Sequence, residues 1–116
     1  MHEFSICRFL IKAIDEEYDR IRPAPAGLES VKVVVGGLHQ IVPDYLVGAY
    51  GALTKETRFE DSLLKLDFTP VTGHCPACRW EGVIHPPLFV CPECREPGVE
   101  LRSGKELFIE TLEVRT

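Results

Sequence analysis

Apolar residues recur along the first turn-length intervals of the chain at alternating steps of three and four: Phe4, Cys7, Ile11, Ile14, Tyr18 and Ile21, with Ile6, Leu10 and Ala13 widening the stripe. Lys12, Asp15, Glu16, Asp19 and Arg20 take the other side, so the pattern predicts one amphipathic helix over residues 4–22, stopped by Pro23-Ala24-Pro25-Ala26-Gly27. Val31 to Val35, β-branched except at Lys32, predicts a strand closed by Gly36-Gly37. Pro43 and Asp44 open a second predicted helix, about 43–57, with Tyr45, Leu46, Ala49, Tyr50 and Leu53 inward and Gly48 and Gly51 lowering its propensity. Leu64, Leu66 and Phe68 alternate with Lys65 and Asp67, which predicts a half-buried strand over 62–71. Short strands are predicted at Arg79 to Ile84 and Leu88 to Val90, and Ser103-Gly104 turns the chain into a last strand, Leu107 to Val114, whose apolar residues fit no single inward phase. The order predicts an α+β fold: two helices on one face of a three-stranded sheet, with a small module inserted between the last two strands.

The inserted module carries Cys75-Pro76-Ala77-Cys78 and Cys91-Pro92-Glu93-Cys94, two C-x2-C pairs with twelve residues between them. Two such knuckles brought together by a hairpin supply four thiolates in a tetrahedron, the donor set of a closed structural Zn2+ site. A rubredoxin-like iron centre uses the same set, and a disulfide framework is the remaining reading. Filled entirely by protein, such a zinc site stabilises the fold and does no chemistry. The predicted organisation is a discontinuous α/β domain, residues 1–72 and 105–116, around a zinc-ribbon-like domain at 73–104. A segment that short has too little core to fold without its metal.

Charge narrows the partners. The net charge is −5, with 8 basic against 11 acidic residues before position 73, 3 against 4 in 73–104 and 2 against 3 after it. Four thiolates on one Zn2+ add about −2 to the module, so its surface repels phosphate, and no nucleic-acid partner is expected. The chain opens without a signal-peptide pattern and has no apolar run of membrane-spanning length, and four of its five cysteines lie in one array; the expectation is a cytoplasmic protein with no membrane partner.

A second candidate site lies at the N-terminus. Met1-His2-Glu3 offers an α-amine, peptide nitrogens, an imidazole and a carboxylate within three residues. Compact N- and O-donor chelates suit Ni2+ or Cu2+, whose tetragonal preference Zn2+ lacks. The alternative is the frayed, solvated start of a helix. A cation there faces the positive end of the helix dipole, an unfavourable contribution of roughly 0.3–1 kcal/mol, so a modest affinity is expected.

Met1-His2-Glu3-Phe4-Ser5 before a long amphipathic helix, the Cys-Pro-Ala-Cys…Cys-Pro-Glu-Cys module, and Ser103-Gly104-Lys105-Glu106-Leu107 before a terminal strand together resemble the HypA/HybF family of hydrogenase nickel-incorporation proteins, over the whole chain. The resemblance implies a non-enzymatic nickel metallochaperone for maturation of [NiFe]-hydrogenase, with urease as the other candidate recipient. It implies Ni2+ as cargo, held by the imidazole and backbone nitrogen of His2 and by Glu3 through its backbone nitrogen or carboxylate, with the Met1 amine as a further donor. It implies structural Zn2+ on Cys75, Cys78, Cys91 and Cys94, and as partners the accessory GTPase HypB, the hydrogenase large subunit and a second copy in a homodimer. The sequence departs from many zinc ribbons in placing Arg79 and Arg95, not Gly, after the second Cys of each knuckle.

Two rivals stand beside this reading. One is a zinc-ribbon module for protein or nucleic-acid interaction, which would need a basic stripe for nucleic acid; the other is a redox enzyme or electron carrier with an iron–thiolate centre. His74 and His85 flank the knuckles as candidate extra ligands or as solvated loop residues, His39 reads as a surface residue, and Cys7 falls on the buried stripe of the first helix. No phosphate-binding Gly loop or G-x-S-x-G motif is present, so no catalytic residue is expected. Gly73 and Gly104 suggest flexible junctions where the inserted module begins and ends.

Overall fold

A computed structural model describes residues 2–86 and 88–116. The chain divides into two compact units, Met1–Val34 with Ile41–Asp67 and Phe108–Thr116, and Val35–Gln40 with Phe68–Leu107. The second unit thus takes in residues 35–40, 68–72 and 105–107 besides the segment outlined by the cysteine spacing.

In the first unit, α1 spans His2–Arg20 and buries Cys7, Leu10 and Ile14, with Ile11 and Tyr18 half-buried beside them. It stops two residues before the predicted end because Arg22 precedes Pro23, whose ring disfavours helical backbone at the residue before it. The strand β1, Gly27–Gly36, starts earlier than predicted, since Leu28 and Ser30 are also buried. The second helix, α2, spans Pro43–Thr54 and packs against α1 through Leu46, Ala49 and Tyr50. It ends three residues short of the predicted 57: the Thr54 hydroxyl donates back to the Tyr50 carbonyl at 2.7 Å, and Glu56 takes a left-handed φ of 63°. Tyr45, expected to face inward, is 65% exposed, one position out of phase with Leu46.

The strands β2, Leu63–Thr69, and β6, Leu107–Arg115, flank β1 in a sheet ordered β2-β1-β6. Val31, Val33 and Val35 on one face of β1 are fully buried. On the opposite face Lys32 meets Glu110 at 3.3 Å, while Glu113 accepts from the Ser30 hydroxyl at 2.6 Å and meets Lys65 at 3.4 Å. Such half-exposed ion pairs contribute at most about 1 kcal/mol each, so the buried valines contribute more to stability. The undetermined phase of the last strand has a simple cause: two successive exposed residues, Glu110 and Thr111, interrupt the alternation, and the inward set changes from Leu107 and Ile109 to Leu112 and Val114.

Arg58, beyond α2, fastens that turn to the C-terminal half of α1. Its guanidinium reaches Asp15 at 2.6 Å and Asp19 at 2.9 Å and lies 4.8 Å over the Tyr18 ring and 4.9 Å over the Phe59 ring. Gly48 and Gly51, by contrast, have no atom within 4 Å of where a β-carbon would sit. Replacing either by Ala should therefore stabilise the protein by about 0.5–1 kcal/mol, measured as a shift in urea midpoint with unchanged slope.

The second unit contains a three-stranded antiparallel sheet ordered β4-β3-β5, with β3 at Thr72–His74, β4 at Glu81–Val83 and β5 at Glu100–Ser103. The strands β3 and β5 escape a pattern search because three or four residues hold too few alternations to count. The predicted strand Leu88 to Val90 is reduced to one bridge between Val90 and Pro97. Gly73 and Gly104 are closely packed: a β-carbon on Gly73 would strike Ile84 and Val99, and one on Gly104 would strike Val71. Thr72 pairs with Ser103 in the ladder, and their hydroxyls bond at 2.6 Å. No described helix is long and apolar enough to cross a membrane.

Candidate functional site

The four cysteines converge in the second unit. Cys75 follows β3, and the chain turns back so that the Arg79 N–H donates to the Cys75 carbonyl at 2.8 Å and the Cys75 N–H to the Trp80 carbonyl at 2.7 Å. The second knuckle repeats this: Arg95 N–H donates to the Cys91 carbonyl at 2.8 Å, and Cys91 N–H to the Glu96 carbonyl at 3.1 Å. Each turn requires a left-handed residue after its second Cys, and Arg79 and Arg95 adopt it with φ of 67° and 63°. The missing glycines therefore change the conformational cost and not the geometry of the turn, since a non-Gly residue reaches this region at about 1–2 kcal/mol. The Glu93 and Cys94 N–H groups each point at the Cys91 sulfur from 3.4 Å.

All four Sγ atoms lie within 4.8 Å of one another, with Cys75 to Cys94 at 3.7 Å and Cys78 to Cys91 at 3.6 Å. Bonds of about 2.3 Å to a tetrahedral centre place sulfurs about 3.8 Å apart, whereas a disulfide would bring them to about 2.05 Å. The spacing fits a metal and excludes the disulfide reading. The electrostatics agree. Desolvation opposes ionisation of Cys91, but the amides of Cys94 and Glu93 and the neighbouring thiols outweigh it and bring the group down to about 7. At Cys78 the Trp80 amide favours the thiolate, yet desolvation and the surrounding sulfurs push it up to about 12. Four thiolates coexist at this separation only around a cation.

No histidine joins the sulfurs: among the described residues, the four cysteines are the one group of three or more metal-capable side chains. His74 sits on β3 with its buried Nδ1 3.2 Å from the carboxylate of Glu81, its partner on β4, but without hydrogen-bond geometry. His85 is exposed on the rim of an apolar pocket with Val83, Leu88 and Val90. His39 closes a short 3-10 turn, its Nε2 3.0 Å from the Lys105 carbonyl. Cys7 is fully buried in the first unit, and burial raises its thiol to about 11, as expected of a core residue and not of a ligand.

At the other site, Met1 lies outside the described residues, and His2 is exposed at the first position of α1. Glu3 in the same turn accepts a hydrogen bond from the Val42 N–H at 3.2 Å, and Val42 is the N-cap residue of α2. This bond, with Glu3's own N–H next, holds the carboxyl below the usual glutamate range, so it is ionised at neutral pH. The N-termini of both helices are thereby tied together around the residues that follow Met1. Sequence analysis missed the Val42 amide: Pro43 marks the start of α2, but nothing local reveals a partner 39 residues away.

A family profile described as hydrogenase/urease nickel incorporation, metallochaperone, hypA, matches residues 1–114. The chain is 32% identical over 114 residues to a hydrogenase maturation factor HypA of Desulfitobacterium hafniense strain DSM 10664 / DCB-2, covering 98% of each chain. It is 36% identical over 118 residues to that of Solidesulfovibrio magneticus, covering 98% of this chain and 99% of the other. The fold is similar to the solution structure of the Ni metallochaperone HypA from Helicobacter pylori, with a TM-score of 0.67 at 23% identity over 99% of this chain and 98% of that one. The chain belongs to the HypA family of hydrogenase/urease nickel-incorporation metallochaperones, which are maturation factors and not enzymes.

Proposed function

We propose that this protein binds Ni2+ at its N-terminal Met-His-Glu and delivers it to a [NiFe]-hydrogenase during maturation, while Cys75, Cys78, Cys91 and Cys94 hold a structural Zn2+. In this reading residues 1–72 and 105–116 form the nickel-binding domain and 73–104 the zinc domain. The accessory GTPase HypB and the hydrogenase large subunit are its partners, a homodimer is its assembly, the cytoplasm is its compartment, and urease is a second recipient of the metal. The observation that carries the nickel assignment is the bond from Val42 N–H to the Glu3 carboxylate, which occupies that oxygen and leaves the His2 imidazole exposed beside it. His2 then supplies its ring and backbone nitrogen and Glu3 its backbone nitrogen, with the Glu3 carboxylate anchoring the chelate to α2 and offsetting the helix dipole. Tetrahedral sulfur spacing supports zinc or iron, and the role of a structural site in a non-redox carrier favours zinc, which has no redox chemistry.

The test is the metal content of untagged protein. One zinc and no iron per chain should co-purify, and one nickel should be gained on adding Ni2+ without displacement of zinc. Iron in the purified protein, or nickel uptake only in exchange for zinc, would refute the two-site assignment.

A further inference from the structure

Between α1 and the turn that follows α2 runs a groove of about 410 Å³. Its floor is apolar, formed by Ile11, Leu53 and the buried Phe59, and Arg8 and Lys12 stand along its α1 wall. Arg58 at one end is committed to Asp15 and Asp19. Arg8 and Lys12, by contrast, make no ion pair among the described residues, although acidic groups outnumber basic ones along the chain. On the α2 side the groove is lined by Leu53 and, beyond the helix, by Thr57.

We propose that this groove docks an acidic amphipathic segment of a partner protein. An apolar side chain of that segment rests on Ile11, Leu53 and Phe59, and its carboxylates pair with Arg8 and Lys12. Charge complementarity selects the occupant: two unpaired cations beside an apolar floor, on a chain that is otherwise acidic, attract a carboxylate-bearing segment. The inference rests on the reading that the protein hands nickel to protein partners, and it assigns that encounter a surface.

The experiment titrates the full-length protein with HypB and, separately, with the hydrogenase large subunit. Arg8→Glu with Lys12→Glu should weaken binding of one of them by about tenfold or more and flatten its salt dependence. Arg102→Glu with Lys105→Glu, two residues that do not line the groove, should leave binding unchanged, and the circular dichroism spectrum of the Arg8→Glu, Lys12→Glu variant should match that of the wild type. These controls separate docking from net charge and from folding. Equal affinity of the wild type and the charge-reversed variant for a partner that does bind would overturn the surface alone. If neither protein bound the wild type, the partner reading would fall with it. Binding of the wild type to anionic lipid vesicles, lost on charge reversal, would assign the cations to a membrane surface and overturn the proposal as stated.

Discussion

His2→Ala should abolish stoichiometric Ni2+ binding and leave zinc content and the fold unchanged, the largest functional effect expected of any single substitution in the chain. His2 precedes the buried stripe, which begins in earnest at Cys7, and its side chain is exposed, so its loss removes no core contact. It does remove the ring donor and the closure of that ring onto its own peptide nitrogen. Calorimetric titration of untagged protein should fall from one nickel per chain to none, with the circular dichroism spectrum superimposable on that of the wild type. A tag fused ahead of Met1 converts its amine to an amide but keeps the imidazole, so weaker nickel binding in tagged protein would implicate Met1 as a donor.

Acid should release the nickel in the same way, because protons compete with the cation for every nitrogen donor. The anchor beneath the site behaves differently. The Glu3 carboxyl is held below its ordinary value, so its contribution is complete above that value and is lost only as the pH falls through the lowered one. The Val42 amide resonance should therefore keep its bonded shift through nickel release and move only at more acidic pH. Undiminished nickel affinity in His2→Ala would end the N-terminal assignment and direct attention to His74 and His85.

Replacing any one of the four array cysteines by Ser produces the largest structural effect. The second unit has short strands and a small core, in which Cys75 and Cys91 are themselves buried residues. Most of its stability is expected to come from the metal, since structural zinc binding is worth about 10–16 kcal/mol in small modules. Zinc content should fall well below one per chain, and amide protection should be lost across residues 73–104. The helical signal should persist, because α1 and α2 lie in the first unit. Cys7→Ser provides the contrast: it buries a hydroxyl in the first unit at a cost of roughly 1–3 kcal/mol and should leave zinc content intact. A protected second unit in Cys91→Ser would show that the metal is dispensable for its folding.

Both candidate sites are legible in the sequence because each is local. A C-x2-C pair closes its own turn, and Met1-His2-Glu3 sets its candidate donors on three consecutive residues, so neither needs information from elsewhere in the chain. The two helices are legible for a related reason: α1 repeats its apolar period over five turns, long enough for the pattern to overrule any single residue. Where the pattern is short or interrupted, reading fails. The strands β3 and β5 have too few residues to alternate, Glu110 and Thr111 break the phase of β6, and Tyr45 looks inward by type although helical geometry turns it out.

Long-range pairing settles the remaining features, and side-chain chemistry alone cannot foresee it. Arg58 could have paired with any of eighteen acidic residues, and the packing of the α2 exit turn on α1 brings it to Asp15 and Asp19. Gly73 and Gly104 advertise freedom in a linear reading, whereas in the folded second unit they permit close contact with Ile84, Val99 and Val71. The Glu3 carboxylate accepts a hydrogen bond from a backbone amide of α2, because an unsatisfied helix N-terminus attracts the nearest anion and folding brings Glu3 within reach.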